Sequence, residues 1–354
     1  MRALTVLPGT ADSLRLDDVP EPESTNGCLV VRALALGICG TDREIVAGQY
    51  GTAPPGHERL VLGHESLGRV EQAPPASGFA AGDLVVGIVR QPDPVPCPNC
   101  AVGEWDMCRN GRYTEHGIKE LDGFGAEYWS IEPDFAVKVD PTLGDVGVLL
   151  EPASVVAKAW EHTERIGCRA RWEPRRVLVT GAGPIGLLAA LFAVQRELEL
   201  HVLDRATSGI KPELVRALGG IYHTGPVESL GFSPDVVIEC TGAPAVVLDV
   251  IGRNAPNGIV CLAGVSAAGA KKVVDAGALN RNIVLENDVV FGSVNANRRH
   301  YESAAAVLAR ADRRWLERLI TRRAPLDRWR DALESRPDEV KTVLDFSAAV
   351  GGSR

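Results

Sequence analysis

The chain has 354 residues, of which 45% are hydrophobic and 24% charged. These globular proportions exclude a fibrous, collagen-like or disordered polypeptide and predict two domains, at about 100 to 200 residues each. With 46 acidic against 38 basic side chains the formal charge is -8, a field that repels nucleic acid and anionic membrane and leaves small molecules as the expected partners.

No apolar run approaches the roughly 18 residues of a membrane helix, and the segment Met1 to Gly9 breaks before a signal-peptide core forms. A cytoplasmic location is therefore expected. Eight cysteines are too few and too scattered for a disulfide scaffold, which leaves the question of which of them bind metal.

The first 150 residues read as short β-rich pieces punctuated by Gly and Pro: Ala3 to Leu7, Leu29 to Ala35, Arg59 to Glu71, Asp83 to Val89, Ala126 to Glu132 and Ala136 to Val139. Cys39 stands in the run Gly37 to Asp42, and Gly63, His64 and Glu65 follow the apolar Leu60 to Leu62. Thiolate, imidazole and carboxylate together suit zinc, and three protein ligands with an open fourth position would define a catalytic site. Taken alone, Cys39 reads as a buried thiol and His64 as a core residue; a dinucleotide motif further on reverses that weighting. Asp42 suits an acceptor for the far ring nitrogen of His64 and Thr41 a proton relay, although both are also ordinary turn residues.

Cys97, Cys100 and Cys108 come next and read as a zinc-organised lobe that is one cysteine short. Asp93 is the candidate fourth ligand, on a link stiffened by Pro94 and Pro96; a degenerate lobe with free thiols is the alternative. Cys28, Cys168, Cys240 and Cys261 have no spaced partners and read as structural. Glu151, between Leu149 and Pro152, adds a carboxylate where the first domain passes toward the second. Arg169, Arg171, Arg175 and Arg176 then mark a solvated linker.

From Arg175 the rhythm changes to strand, helix, strand, with compact apolar runs at Arg176 to Thr180, Leu198 to Asp204, Asp235 to Cys240, Gly258 to Ala263 and Val289 to Val294. A parallel sheet buried on both faces has this signature. The first run leads into Gly181, Gly183, Pro184, Ile185 and Gly186 and then an apolar helix. In that context the glycines permit a tight turn, close approach to a pyrophosphate and close helix–strand packing.

Asp204 ends the next strand, where a carboxylate would bond the adenosine ribose 2'-hydroxyl, so NAD is expected; Arg205 beside it leaves NADP open. Gly242, Gly264, Val265, Val294 and Asn295 follow later strands at the carboxyl edge, where nicotinamide would lie. Beyond Asn297 the pattern turns helical, with Ala304, Ala305, Val307 and Leu308, then Trp315, Leu316, Leu319 and Ile320.

Together these residues resemble the zinc-dependent medium-chain dehydrogenase/reductase superfamily along essentially the whole chain. The resemblance implies an α/β protein: a GroES-like β-rich catalytic domain at residues 1–170, completed by helices in 296–354, and a Rossmann doubly wound parallel sheet at 171–295. The runs Gly37 to Gly48, Leu62 to Glu65, Glu115 to Phe124 and Gly292 to Asn295 resemble the glucose 1-dehydrogenase branch.

That branch implies oxidation of an aldose, D-glucose foremost, at C1 to the lactone with hydride transfer to NAD(P). It implies Cys39, His64 and Glu65 around zinc, with Glu151 approaching it directly or through water; in such a site Thr41 or Glu65 is the expected proton relay. Glu115, Glu151 and Asn295 would bond sugar hydroxyls, and His300 either reaches the same pocket or sits at a surface helix start. A homotetramer or dimer is implied, often joined through the sixth Rossmann strand, with which the apolar Val289 to Phe291 are compatible.

The chain departs from the branch in carrying Asp204 and Arg205 where many members have basic residues, in the missing lobe cysteine, and in the apolar Val89 near where some relatives place a polar sugar contact. A zinc dehydrogenase of another polyol, secondary alcohol or amino alcohol shares the same metal and cofactor residues. A non-catalytic nicotinamide-binding sensor is the alternative from another class.

Overall fold

The structure is a computed structural model that describes residues 1–23, 27–267, 269 and 272–347, so the end of the expected 296–354 segment lies outside the described residues. The chain divides into two compact units, Met1–Ser154 with Asn295–Arg354, and Val155–Val294. The division falls inside the helix Leu150–Gly167, upstream of the arginine tract that suggested a linker. Those arginines are tied into the second unit instead: the Arg169 guanidinium donates to the carbonyls of Asn257 and Asn287, and the amides of Arg175 and Arg176 donate to Asp235.

The first unit is built on the strand Leu29–Ile38, whose ten residues are almost all buried. Covered on both faces, it reads as a continuous apolar run instead of alternating. It pairs antiparallel with Glu65–Gln72, Tyr128–Ile131 and Lys341–Asp345. Leu84–Gly87, Ala136–Lys138 and Ile320–Pro325 complete a seven-stranded sheet.

The C-terminal contribution to this unit is thus two strands as well as helices. Ile320, expected on a helix, opens the strand Ile320–Pro325 after the helix Arg313–Leu319 ends. Register places Gly37 opposite Glu65 and Ile38 opposite Thr342, so the end of the central strand, Glu65 and Lys341 share one edge of the sheet.

The single run expected from Arg59 to Glu71 is two strands. Leu60–Val61 pairs with Arg2–Val6, and Glu65–Gln72 enters the large sheet. Gly63 makes the break with a φ of 99°, a left-handed conformation that costs glycine least. The short strands Arg90–Gln91, Thr114–His116 and Glu120–Leu121 form a separate three-stranded sheet.

The second unit holds a six-stranded, all-parallel sheet. Its spatial order is Ile221–His223, Glu199–Leu203, Arg176–Thr180, Val236–Glu239, Ile259–Leu262, Val289–Gly292. The order reverses between Arg176–Thr180 and Val236–Glu239, the switch point at which doubly wound sheets bind ligands. Among the described residues no helix is long and apolar enough to cross a membrane.

Candidate active site

Cys39 leaves the central strand in an extended conformation, φ -124°, and caps the helix Gly40–Val46. Its amide donates to Asp42 Oδ2 at 2.8 Å, so the helix start itself fixes the thiol. His64, positioned by the turn at Gly63, brings Nε2 to 3.1 Å from Cys39 Sγ. Its other ring nitrogen, Nδ1, lies 3.3 Å from Asp42 Oδ1, the acceptor side that a metal-ligating histidine needs. Burial alone would raise the Asp42 carboxyl, but the neighbouring imidazole and the Cys39 amide hold it below the usual carboxylate range.

Glu65 opens its strand with the carboxylate facing Cys39 and His64. One ligand atom from each of the three lies within 4.8 Å of the others. A soft thiolate, an imidazole and a carboxylate converging this closely fit a zinc ion.

Glu65 Oε2 is also ion-paired with the fully buried Lys341, whose Nζ donates to the carbonyl of Ile38 at 3.1 Å. Lys341 escaped the sequence reading, since a lone lysine in an apolar strand carries no motif. Glu151 lies outside the converging group, in the first turn of the helix Leu150–Gly167. Burial and the charge of Glu65 push its carboxyl up to about 7. Thr41 is half-buried one residue into the helix that Cys39 caps.

Glu115 and Arg90 are register partners on adjacent strands and both are buried. Glu115 Oε1 accepts from Arg90 Nε at 3.0 Å and from Asn295 Nδ2 at 2.7 Å. Asn295 holds this position with φ 62°, and its Oδ1 accepts from the amide of Ala296. Arg90 was also missed; only its place beside Val89 in a short polar strand pointed to it. Val89 is buried, its amide donating to Tyr301 Oη at 3.3 Å.

His300 stands at a helix start, as expected, but not on the surface: it is 0% exposed, and its Nδ1 accepts from the Asn297 amide in a capping box that starts the helix Arg298–Arg310.

In the lobe, Cys97, Cys100 and Cys108 offer sulfurs within 4.8 Å of one another. Cys97 Sγ accepts from the amides of Cys100 and Arg109 at 3.5 and 3.4 Å, and these bonds pull its thiol below the ordinary range. Burial pushes Cys100 the other way. Asp93 does not join the three sulfurs: its carboxylate is taken up by the amide of Val95, by Asn110 at 2.8 Å and by Arg112 at 3.3 Å.

In the second unit Gly181 takes φ 88°, and a Cβ on Gly186 would lie 1.8 Å from the Gly181 carbonyl oxygen. A Cβ on Gly183 would meet nothing within 4 Å, which leaves open the approach to the N-terminus of the helix Pro184–Val194. Pro184 sits in its first turn and Ile185 is half-buried.

Asp204 follows its strand directly, Oδ2 accepting from the Ala182 amide at 2.7 Å and Oδ1 from that of Ala206 at 2.9 Å. It thereby braces the glycine turn, while Arg205 is exposed. Gly242 has φ 60° and packs against the backbone of Val265. Gly264 packs against Gly242, and Val265 and Val294 are exposed. The buried Glu239, unmarked by any motif, accepts from Thr180 Oγ1, from Thr241 and from the Gly242 amide.

Two family models match the chain: the alcohol dehydrogenase GroES-like domain over residues 25–141 and the glucose dehydrogenase C-terminus over residues 144–346. Glucose 1-dehydrogenase 1 of Caldivirga maquilingensis is 42% identical over 98% of this chain and 99% of its own. Glucose 1-dehydrogenase of Thermoproteus tenax is 41% identical over 97% and 99%. The solved glucose dehydrogenase of Haloferax mediterranei, in complex with NADP, Zn and gluconolactone, superposes with a TM-score of 0.91 at 32% identity, covering 98% of this chain and 99% of that one.

A GroES-like unit carrying a thiolate–imidazole–carboxylate group, with a doubly wound unit carrying a glycine turn, defines a zinc-type medium-chain dehydrogenase. Within that class, the chain belongs to the glucose 1-dehydrogenase family.

Proposed function

We propose that this protein oxidises a cyclic aldose, D-glucose foremost, at C1 to the lactone, transferring hydride to NAD(P). The observation that carries this is the convergence of Cys39, His64 and Glu65 in the same unit that fixes the buried Glu115 against Asn295. The names and bound ligands of the relatives support the reading. Cys39, His64 and Glu65 would hold zinc, with Glu151 approaching it, and the bound ion would supply Lewis acidity toward the C1 oxygen while the nicotinamide accepts the hydride.

The chain's own groups do the rest. Asp42 fixes the tautomer that leaves His64 Nε2 free to ligate. Thr41 passes the hydroxyl proton outward. Glu115, Glu151 and Asn295 accept or donate to sugar hydroxyls, and leaving such buried groups unpaired is what penalises analogues lacking those hydroxyls. Asp204 serves the adenosine ribose and favours NAD, with Arg205 available to a 2'-phosphate. The three-sulfur lobe is a candidate structural zinc site without Asp93.

A homo-oligomer is the assembly we infer. Among the described residues the strand Val289–Gly292 has one unpaired edge, and the nearby helix Ala276–Glu286 has no buried residue while exposing Val284 and Leu285. A cytoplasmic location fits eight cysteines that are all free thiols.

Initial rates of zinc-replete protein with D-glucose, D-galactose, D-xylose, sorbitol, threonine and ethanol, each with NAD and with NADP, test the reading. Aldose turnover with NAD is expected. Turnover confined to non-sugars would move the substrate to another alcohol, and no turnover at all with zinc bound would favour a nicotinamide sensor.

A further inference from the structure

We propose that Arg90 is a positioning residue for the sugar site, acting by fixing one oxygen of Glu115 so that the other is left for a substrate hydroxyl. The inference rests on the sugar-binding reading of Glu115 given above.

Both side chains are more than nine-tenths buried, and a buried carboxylate needs a counter-charge and satisfied lone pairs. Arg90 Nε and Nη2 both lie 3.0 Å from Glu115 Oε1. Asn295 Nδ2 donates to the same oxygen at 2.7 Å. Three donors therefore meet on Oε1, and among the described residues none reaches Oε2.

Arg90 is itself held at its other end. Nη1 donates to the carbonyl of Asp106 at 3.1 Å, and the guanidinium lies 3.7 Å from the centre of the Tyr113 ring. Asp106 belongs to the turn between Cys100 and Cys108, and its Oδ1 accepts from Asn297 Nδ2 at 2.7 Å. A planar fork pinned on both sides sets the rotation of the Glu115 carboxylate in a way a flexible ammonium would not.

Glu115 then presents Oε2 as an acceptor of fixed direction. Removing Arg90 frees the carboxylate to turn toward whatever donor remains, Asn295 alone. The loss falls on the binding of a hydroxyl and leaves the reacting centre at Cys39, His64 and Glu65 untouched.

The test is a double-mutant cycle on the zinc-replete protein with Arg90→Met, Arg90→Lys, Glu115→Gln and the Arg90→Met/Glu115→Gln double, reading KM and kcat for D-glucose, Kd for NAD and Tm. Arg90→Met is expected to raise KM for glucose about tenfold or more, with kcat within about threefold and Kd for NAD unchanged. The double variant should be no worse than Glu115→Gln alone, because one residue acts through the other.

If Glu115→Gln raises KM while a folded Arg90→Met does not, or if the two effects add, the positioning role is overturned and the Glu115 reading stands. If Glu115→Gln leaves glucose KM unchanged, both fall. Should Arg90→Met fail to fold, Arg90→Lys decides: a raised KM at unaltered Tm supports the role, and a wild-type KM removes it.

Discussion

Cys39 is held in place by bonds that need no ion: its own amide is tied to Asp42, and Asp42 faces the ring of His64. Replacing the thiol therefore removes a ligand without removing the scaffold. Cys39→Ser should abolish glucose oxidation and lower zinc content by metal analysis while Kd for NAD stays within about twofold, the other unit being untouched. Full activity in a variant shown to have lost zinc would sink the assignment.

Glu115→Gln keeps the shape and gives up the charged acceptor, so kcat/KM for glucose should fall about tenfold to a hundredfold. A simple alcohol, if turned over, should be little affected. An equal loss on every alcohol would exclude a sugar contact.

His116, next to it, makes a prediction about stability. Burial pushes its imidazole down to about 4, against about 6.5 in an unfolded chain. Between those values the unfolded chain binds a proton that the folded one refuses. Stability is whole above about pH 6.5 and falls as pH drops toward 4, by about 3 kcal/mol at most from this group. Urea unfolding of wild type and His116→Gln at pH 7 and pH 4.5 should show a smaller pH dependence in the variant; identical slopes would refute the buried neutral imidazole.

At the scale of elements, the glycine turn illustrates what local geometry demands. A Cβ on Gly186 would sit 1.8 Å from the Gly181 carbonyl, so the helix Pro184–Val194 would have to leave the strand Arg176–Thr180. Gly186→Ala should cost roughly 1–3 kcal/mol in stability and weaken NAD binding in titrations of cofactor fluorescence; wild-type affinity would mean the turn tolerates the shift.

This turn is legible in the sequence because its three glycines, strand and helix are contiguous; Gly181 and Gly186 each answer a steric demand, and Gly183 leaves the helix start open. Cys39, His64 and Glu65 were legible as donor types, although nothing before the fold placed them within reach of one another. The strands Lys341–Asp345 and Ile320–Pro325 are not legible in the sequence: Lys341–Asp345 is a strand because it pairs with Leu29–Ile38, some 300 residues away, and Ile320–Pro325 because it pairs in turn with Lys341–Asp345. Ile221–His223 is only three residues long, too short for any periodicity to register. Lys341 and Arg90 were missed for the same physical reason: a buried charge is recognisable only by its counter-charge, and Glu65 and Glu115 lie far from them in the chain.

On the scale of the whole molecule, a formal charge of -8 opposes the approach of like copies, so the homo-oligomer proposed above requires apolar surface to offset it. Val284 and Leu285 are 62% and 60% exposed on a helix with no buried residue, an arrangement uncommon on a lone subunit. Val284→Glu with Leu285→Lys should lower the mass measured by light scattering while leaving Tm within a few degrees. An unchanged mass would exclude this surface from the proposed assembly, and a monomer mass in the wild type would overturn the assembly itself.

The strand Lys341–Asp345 has one more consequence, for the order in which the protein is made. The first unit cannot close its sheet until residues as late as Lys341–Asp345 have left the ribosome, because Lys341 reaches back to Ile38 across 303 residues. The second unit, Val155–Val294, is contiguous and complete earlier. At about 5–20 residues per second, Cys39, His64 and Glu65 wait on the order of tens of seconds for the strand that supplies Lys341. During synthesis the nicotinamide-binding half is thus finished first, and the ion-binding half spends its youth as an open sheet edge, exposed to whatever metals and chaperones the nascent chain meets.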